Sequence, residues 1–444
     1  MNFNELTKTY KKSKHLALKA ITVTTLTVIV SGCLLIDCKK PSAPEDQIVA
    51  IINANIFDGQ ELIKDHTLII KGDRIHSIGG DIPASARIVD ANGGMLMPGL
   101  IDSHVHTDID GLHDALLFGV TTELEMTGQW MFWERWQIAN RTDLADIRSA
   151  GMGITPPGGH PTQYMQLSSN WFLKTFYRYP FVSTPEEAIK FVDKQVEGGS
   201  DFIKIIIEDG DTVGTPGLPV IDDATLIASV KAAHRRDKMA IAHVTSLSGG
   251  RRAISAGVDG LAHMFFDRKP DKELISAIQS SGAFIVPTLT TLSTAFGNSP
   301  RTLVSDKRVS SKLSKEWLEA LSKNMNVYPK GRLEDSFESV MALHKAGVDI
   351  LAGSDVSEPI ADLGGLAHGA SLHHELQLLV AAGFKPIEAL RAATSIPARR
   401  FSLNDRGRIF PGARADLLLI DGNPIQNISD TLSIHNVWRA GVQQ

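Results

Sequence analysis

Cysteine is nearly absent, with two in 444 residues, which excludes a disulfide framework and a cysteine-rich zinc module. There is no charge excess either. Lys and Arg total 45 against 50 Asp and Glu, a formal net charge of −5. Nucleic-acid binding needs a clustered basic surplus, so neither DNA nor RNA is an expected partner. No Gly-rich dinucleotide or phosphate fingerprint follows any candidate strand, and no repeat or low-complexity run is visible. Hydrophobic residues make up 43% and charged ones 21%, enough to bury a full core and too apolar for a disordered chain.

The first forty residues stand apart. Lys8, Lys11, Lys12, Lys14 and Lys19 precede an apolar run at 20–30, and Ser31-Gly32-Cys33 follows. A basic start, a short apolar core and small residues before a cut point read as a secretory signal. The run is too short for a spanning helix, which needs about 20 residues. Val30-Ser31-Gly32-Cys33 resembles a bacterial lipobox. That resemblance implies a signal peptide over 1–32, a lipid on Cys33 and an exported protein anchored to the cell envelope. Leu34 in place of an aspartate favours the outer membrane, on its periplasmic or surface face. Residues 33–46, with Pro41 and Pro44, read as a polar tether.

Beyond the tether the pattern is β. Candidate strands at 47–57, 67–71, 74–78 and 87–90 end at turn signals, and two more lie at 415–420 and 435–442. Neither terminal set could bury a core alone, so the two are expected to pair into one discontinuous β-sandwich, 47–97 with 405–444. Between them, over 98–404, short apolar strands alternate with amphipathic helices. Eight candidate strands fall at 100–104, 121–126, 151–155, 202–207, 239–243, 260–264, 284–287 and 349–353. Helical stretches include 185–197, 222–236, 314–324, 332–346 and 386–394. The expected fold is α/β, a (β/α)8 TIM barrel with a β-sandwich made from both ends of the chain.

Barrel active sites are built at the carboxyl ends of strands. The first strand ends in His104-Val105-His106, two imidazoles on one side of an extended chain. The fourth carries Lys204 inside Phe202-Ile203-Lys204-Ile205-Ile206, where a lysine needs a partner; Asp201 and Glu208 are the nearest carboxylates in sequence. The fifth ends at His243, the sixth carries His263, and the eighth ends in Gly353-Ser354-Asp355. Each is bland alone; as an ordered set they suit a metal site.

The stretch from Met97 to His106, Met-Pro-Gly-Leu-Ile-Asp-Ser-His-Val-His, resembles the first-strand motif of the amidohydrolase superfamily of metal-dependent hydrolases. Lys204 is similar to the carboxylated, metal-bridging lysine of its binuclear members, His243 and His263 to two further ligands, and Asp355 to the last-strand aspartate. The return Gly407-Arg408-Ile409-Phe410-Pro411-Gly412 and the stretches around Glu375 and Glu388 are similar as well. The lysine spacing is nearest the imidazolonepropionase-like and prolidase-like branch. The resemblance implies metal ligands His104, His106, Lys204, His243, His263 and Asp355. It also implies two divalent ions, zinc by ligand type, with carbon dioxide or bicarbonate needed for Lys204. The implied reaction is hydrolysis of an amide-type C–N bond, in an N-acyl amino acid, dipeptide or cyclic amide. A hydroxide bridging the metals attacks, and Asp355 shuttles the proton.

Three alternatives stay open. The same binuclear site could cleave esters or lactones, or the barrel could be a non-catalytic binding lipoprotein. A mononuclear deaminase is the third, but such members place a Glu where this chain has Ser246. The partner in every catalytic case is a small molecule, with membrane contact through the lipid anchor and self-association left open. His160, in the glycine-containing loop after the third strand, is the candidate substrate contact. The loop at 208–219 suits a rim or lid. Trp130, Trp133 and Trp136 with Phe132 are expected to form a packed helix face, with a pocket wall or membrane-facing patch as the alternative. His368 is a weaker supporting candidate, and His113, His234, His344, His373, His374 and His435 read as packing or surface residues.

Overall fold

The computed structural model describes residues 44, 46–128, 130, 132–165, 179–360 and 363–444. The expected signal peptide, Cys33 and most of the 33–46 tether lie outside the described residues. Among the described residues no helix is long and apolar enough to cross a membrane.

Seven strands open the chain: β1 (Ile48–Ile52), β2 (Asn55–Phe57), β3 (Leu62–Ile63), β4 (Leu68–Lys71), β5 (Arg74–Ile78), β6 (Arg87–Asp90) and β7 (Met95–Pro98). The stretch expected as one strand at 47–57 is two. Asn53 adopts a left-handed backbone, φ 55°, and the break sends β1 and β2 into different sheets. One sheet has the order β5-β4-β1-β6. The other joins both ends of the chain, with β15 (Leu417–Ile420), β16 (Ile434–Arg439) and β17 (Val442–Gln443) in the order β17-β16-β15-β7-β2-β3. Period-two alternation gives this sheet two apolar faces. Leu96, Leu417 and Leu419 join Val49, Ile51, Leu68 and Trp438 in a core between the sheets. Met95, Met97, Leu418 and Ile420 point the other way, into the barrel's core.

The barrel strands are β8 (Leu100–Val105), β9 (Val120–Glu125), β10 (Asp146–Ser149), β11 (Ile203–Ile207), β12 (Ala240–Val244), β13 (Gly260–Ala262) and β14 (Phe284–Val286). They form two parallel runs, β10-β9-β8 and β11-β12-β13-β14. Single bridges close the ring. Ile154 N–H donates to the Lys204 carbonyl at 2.9 Å and its carbonyl accepts from Ile206 N–H at 3.0 Å. An eighth extended segment joins β14 to β8: Leu351 N–H donates to Ile285 O at 2.8 Å, and Ser103 N–H donates to Ala352 O at 2.9 Å. Two expectations are corrected here. The third strand's ladder lies at Asp146–Ser149, not 151–155, because Gly151 turns left-handed (φ 69°) and leaves Ile154 a lone bridge. The eighth segment is bridged at Ile350 and Val356 and forms no ladder.

The helices Pro185–Glu197, Asp223–Arg235, Lys315–Leu321, Leu333–Lys345 and Pro386–Ala392 fall where periodicity places them. Caps fix several starts; Thr184 accepts from Glu187 N–H and Asp222 from Thr225 N–H. The aromatic helix Phe132–Ala139 departs from expectation. Phe132, Trp133 and Trp136 are exposed by 61%, 46% and 64%, only Ile138 on the helix is buried, and Trp130 alone of the four aromatics packs on the core. The spacing of the aromatics is helical, but the face they share turns outward.

A buried ionic cluster ties the barrel to the returning chain. Asp146 on β10 meets Arg406 and, at 3.1 Å, Arg414; Asp416 meets Arg414 and, at 3.4 Å, Arg439. Burial alone would raise the Asp146 carboxyl, but Arg406, Arg439 and Arg414 hold it well below the usual carboxylate range.

Candidate functional site

Alternation on β11 and β12 aims the polar side chains. Ile203, Ile205 and Ile207 pack outward with Ala240, Ala242 and Val244, whereas Phe202 and Ile241 fill the barrel's interior. Lys204 and His243 therefore share the inward side with Phe202 and Ile241. His263 and Asp355 follow their strands in left-handed backbone, φ 75° and 57°. Such conformations cost of order 1–3 kcal/mol in a non-glycine residue, so the fold holds these two side chains against local preference.

The side chains converge. His104 Nε2 and His106 Nε2 each lie 3.2 Å from Asp355 Oδ1, and His263 Nδ1 lies 3.9 Å from Asp355 Oδ2. Lys204 Nζ is 3.3 Å from His104 Nε2. The His104 and His263 rings are 4.7 Å apart, and those of His243 and His263 4.6 Å. His160 stacks on His243 at 4.6 Å, with Gln163 at 2.8 Å from its Nδ1. All six expected ligand positions and His160 thus meet at the carboxyl end of the barrel; Cys33 is outside the described residues.

Burial governs the charges. It pulls the Lys204 amine down to about 7, against the opposing pull of Asp355 and Glu125. It holds His104, His160 and His263 well below the ordinary imidazole value and His243 at about 3, with neighbouring cations adding to the effect. Burial also opposes a proton on His106, but Asp355 and Glu125 outweigh it and raise that ring to about 9. Neither sequence neighbour pairs with Lys204: Asp201 holds Arg135, and Glu208 faces Thr245 and His243. Imidazoles kept uncharged by burial at His104, His243 and His263, beside the Asp355 carboxylate, form a donor set that fits a divalent metal ion. The ligand atoms of His104, His263 and Asp355 lie within 4.8 Å of one another.

Several functional groups escaped sequence reasoning. Glu208 is buried, four residues past Lys204 on the same strand face, yet its place in the sequence suggested a lid. Glu123 and Glu125 are buried on β9; that strand reads Val-Thr-Thr-Glu-Leu-Glu, without the apolar run that made Lys204 stand out. Asp102 accepts from the Ser354 N–H and hydroxyl at 2.9 and 2.6 Å, bracing the segment that carries Asp355. His368 stands between Glu123 Oε1 at 3.4 Å and the Ser357 carbonyl at 3.2 Å. His373 is a packing residue, bonded to the Phe118 carbonyl at 2.8 Å. Ser246 caps the helix Leu247–Ala256 by accepting from Gly249 N–H.

Comparison with known proteins follows the same lines. The Amidohydrolase family pattern matches residues 95–443. An adenine deaminase of Latilactobacillus sakei is 24% identical over 393 residues, 87% of this chain and 55% of that protein; the chain spans about half the length of the curated relatives it matches most extensively. Among solved structures, a Xaa-Pro dipeptidase with methionine in its active site has a TM-score of 0.68 at 23% identity, covering 90% of this chain and 100% of the other. A prolidase complexed with N-methylphosphonate-L-proline has a TM-score of 0.69 at 22% identity, covering 90% and 99%. At these identities the two structures establish a shared fold. With most of its length matched by the family pattern, this chain belongs to the amidohydrolase family.

Proposed function

We propose that the protein is a metal-dependent hydrolase of an amide-type C–N bond in a small molecule. The observation that carries this reading is the convergence of His104, His106, His243, His263 and Lys204 on Asp355, with His104, His243 and His263 kept uncharged by burial. These six residues would hold two divalent ions, zinc by donor type. Bound there, the ions supply Lewis acidity to polarise a substrate carbonyl and to acidify a water. Asp355, with His104 and His106 both 3.2 Å from its Oδ1, is placed to accept a proton and return it to the leaving nitrogen. His160, stacked on His243, lines the approach and would orient the carbonyl. Lys204 would become a ligand by carboxylation. Its neutral amine attacks carbon dioxide, forms a C–N bond and sheds one proton, leaving an anionic carbamate with two oxygens for two metals. The apolar setting that lowers its pKa favours the neutral amine this step needs.

A second reading, hydrolytic deamination, is favoured by the likeness to adenine deaminases over 87% of the chain. Against it stands Ser246, where the mononuclear deaminases place a glutamate; here it serves as a helix cap. The envelope location and the lipid on Cys33 belong to the proposal too. Assay of the zinc-loaded protein against N-acyl amino acids, dipeptides, cyclic amides, esters and aminopurines tests the reading. Turnover of amides is the expected result; release of ammonia from the aminopurines alone would overturn it in favour of deamination.

A further inference from the structure

We infer that the outward face of the helix Phe132–Ala139 is a membrane contact: Phe132, Trp133 and Trp136 seat in the surface of the phospholipid bilayer that holds the lipid on Cys33. The inference rests on the proposed anchor and adds to it the face of the barrel that meets the membrane.

The face is built as one apolar patch. Phe132 and Trp136, one turn apart, are neighbours on the helix surface, and the Phe132 and Trp133 rings meet edge to face at 5.3 Å. Ile138 faces the other way, into the barrel's core. Arg135 also turns aside, to Asp201 and the Gly199 carbonyl, and is largely buried there, so its charge does not divide the patch. An aromatic side chain can bury about 150–250 Å²; at the exposures of these three, roughly 250–430 Å² is open to solvent. A stable protein interface takes about 800 Å² from each partner, so the patch is too small to hold a second copy or a soluble partner by itself. A bilayer surface sets no such threshold, because each ring that enters it gains its own burial. Tryptophan suits that boundary, with an apolar body and one N–H for the wet headgroups.

The tether says what covers the patch. Residues 33–46 reach at most about 3.6 Å each, so a lipid on Cys33 would keep the folded body within roughly 50 Å of the bilayer. The root of the tether is linked to the aromatic helix by a path of contacts. The Gln47 carbonyl accepts from Gly72 N–H at 3.0 Å. The Gly72 carbonyl packs on Gly441 so closely that a Cβ there would lie 2.0 Å from it. Arg439, two residues earlier, donates from Nε to the Leu144 carbonyl at 3.2 Å, and Leu144 lies in the loop that follows Ala139. A surface held this near its target meets it in an intramolecular step at high effective concentration, so a patch too weak to hold free protein is occupied.

Fluorescence reads the contact directly. The full-length product purified from membranes, with whatever lipid it carries, is placed in vesicles of phosphatidylethanolamine and phosphatidylglycerol whose acyl chains bear bromine, a short-range quencher of tryptophan. Part of the emission of its six tryptophans should be quenched, and Trp133→Tyr/Trp136→Tyr should lose that quenched part. Phe132→Asp keeps both reporters and sets a charge against insertion; it should lose most of the quenching while activity and melting temperature stay as in wild type. No quenching in protein shown by mass to carry lipid would overturn the inference and leave the anchor standing. Quenching that survives in both variants would overturn it as well. So would a dimer in detergent that Phe132→Asp splits while the tryptophans of the vesicle-bound wild type stay unquenched, which would give the face to a second copy. Quenching by vesicles added to protein with no lipid on Cys33 would keep the contact and sink the anchor instead.

Discussion

At the residue scale, the site is defined by which groups burial keeps uncharged. Asp355 lies 3.2 Å from both His104 and His106 and is the proposed proton carrier. Asp355→Asn removes that acceptor while leaving a similar shape, so kcat should fall by about 10² or more with the fold intact. Steady-state kinetics beside a melting curve checks this, and activity within a few-fold of wild type would assign the proton elsewhere. A second prediction concerns His373 and His374. Burial depresses both rings to about 4, so between pH 6.5 and 4 the unfolded chain binds more protons than the folded one. Stability should fall as pH drops through that window, by roughly 3 kcal/mol at most for each ring. His374→Gln should flatten the dependence of melting temperature on pH; an unchanged slope would remove His374 from the account.

Residue-level legibility followed a simple division. His104, His106, His243, His263 and Asp355 were readable because each sits at or just past a strand end, and Lys204 because it breaks an apolar run. Glu208 and Asp102 were not, since their roles depend on atoms brought near by strands remote in sequence. Asp102 serves Ser354, 252 positions away.

At the element scale, the barrel's helices and most strands followed periodicity, and the failures among the strands have one cause. Asn53 and Gly151 take left-handed backbone, which ends a strand at a point that apolar pattern alone does not mark, and Asp355 does the same in the eighth segment, which forms no ladder. The outward face of Phe132–Ala139 is a different kind of miss: spacing set the helix phase but did not say which face the barrel covers. The strength of the element contacts is concentrated in the buried ions. Asp146→Ala would leave Arg406 and Arg414 without their shared carboxylate on β10, and breaking a buried pair this way costs about 3–5 kcal/mol. Chemical denaturation should show a loss on that scale with the midpoint moving and the slope kept; a loss below 1 kcal/mol would mean that the other carboxylates, Asp405 and Asp416, compensate.

At the scale of the whole molecule, the sequence pattern carried furthest. Two terminal β modules too small to stand alone predicted the sheet that joins them, and β7 pairs with β15 from Leu417↔Pro98 to Ile420↔Met95. Through that sheet Met95, Met97, Leu418 and Ile420 pack against the barrel whose far rim carries the site. The proposed export depends on a separate part of the chain, from Lys8 to Cys33. Cys33→Ser should move the protein from the membrane to the soluble fraction with activity unchanged, because lipid chains make release slow. Membrane retention of the serine variant, with no lipid mass on the wild type, would contradict that part.

The central claim is that Lys204 and the histidines around Asp355 form a two-metal site completed by carbon dioxide. The most direct measurement is bound zinc per chain after reloading metal-stripped protein with and without bicarbonate, for wild type and Lys204→Ala. The account predicts two ions in wild type with bicarbonate, fewer in rigorously CO2-free buffer, and fewer in Lys204→Ala under either condition, with partial recovery on adding a short carboxylic acid. Two ions in every case, indifferent to both bicarbonate and Lys204, would contradict it.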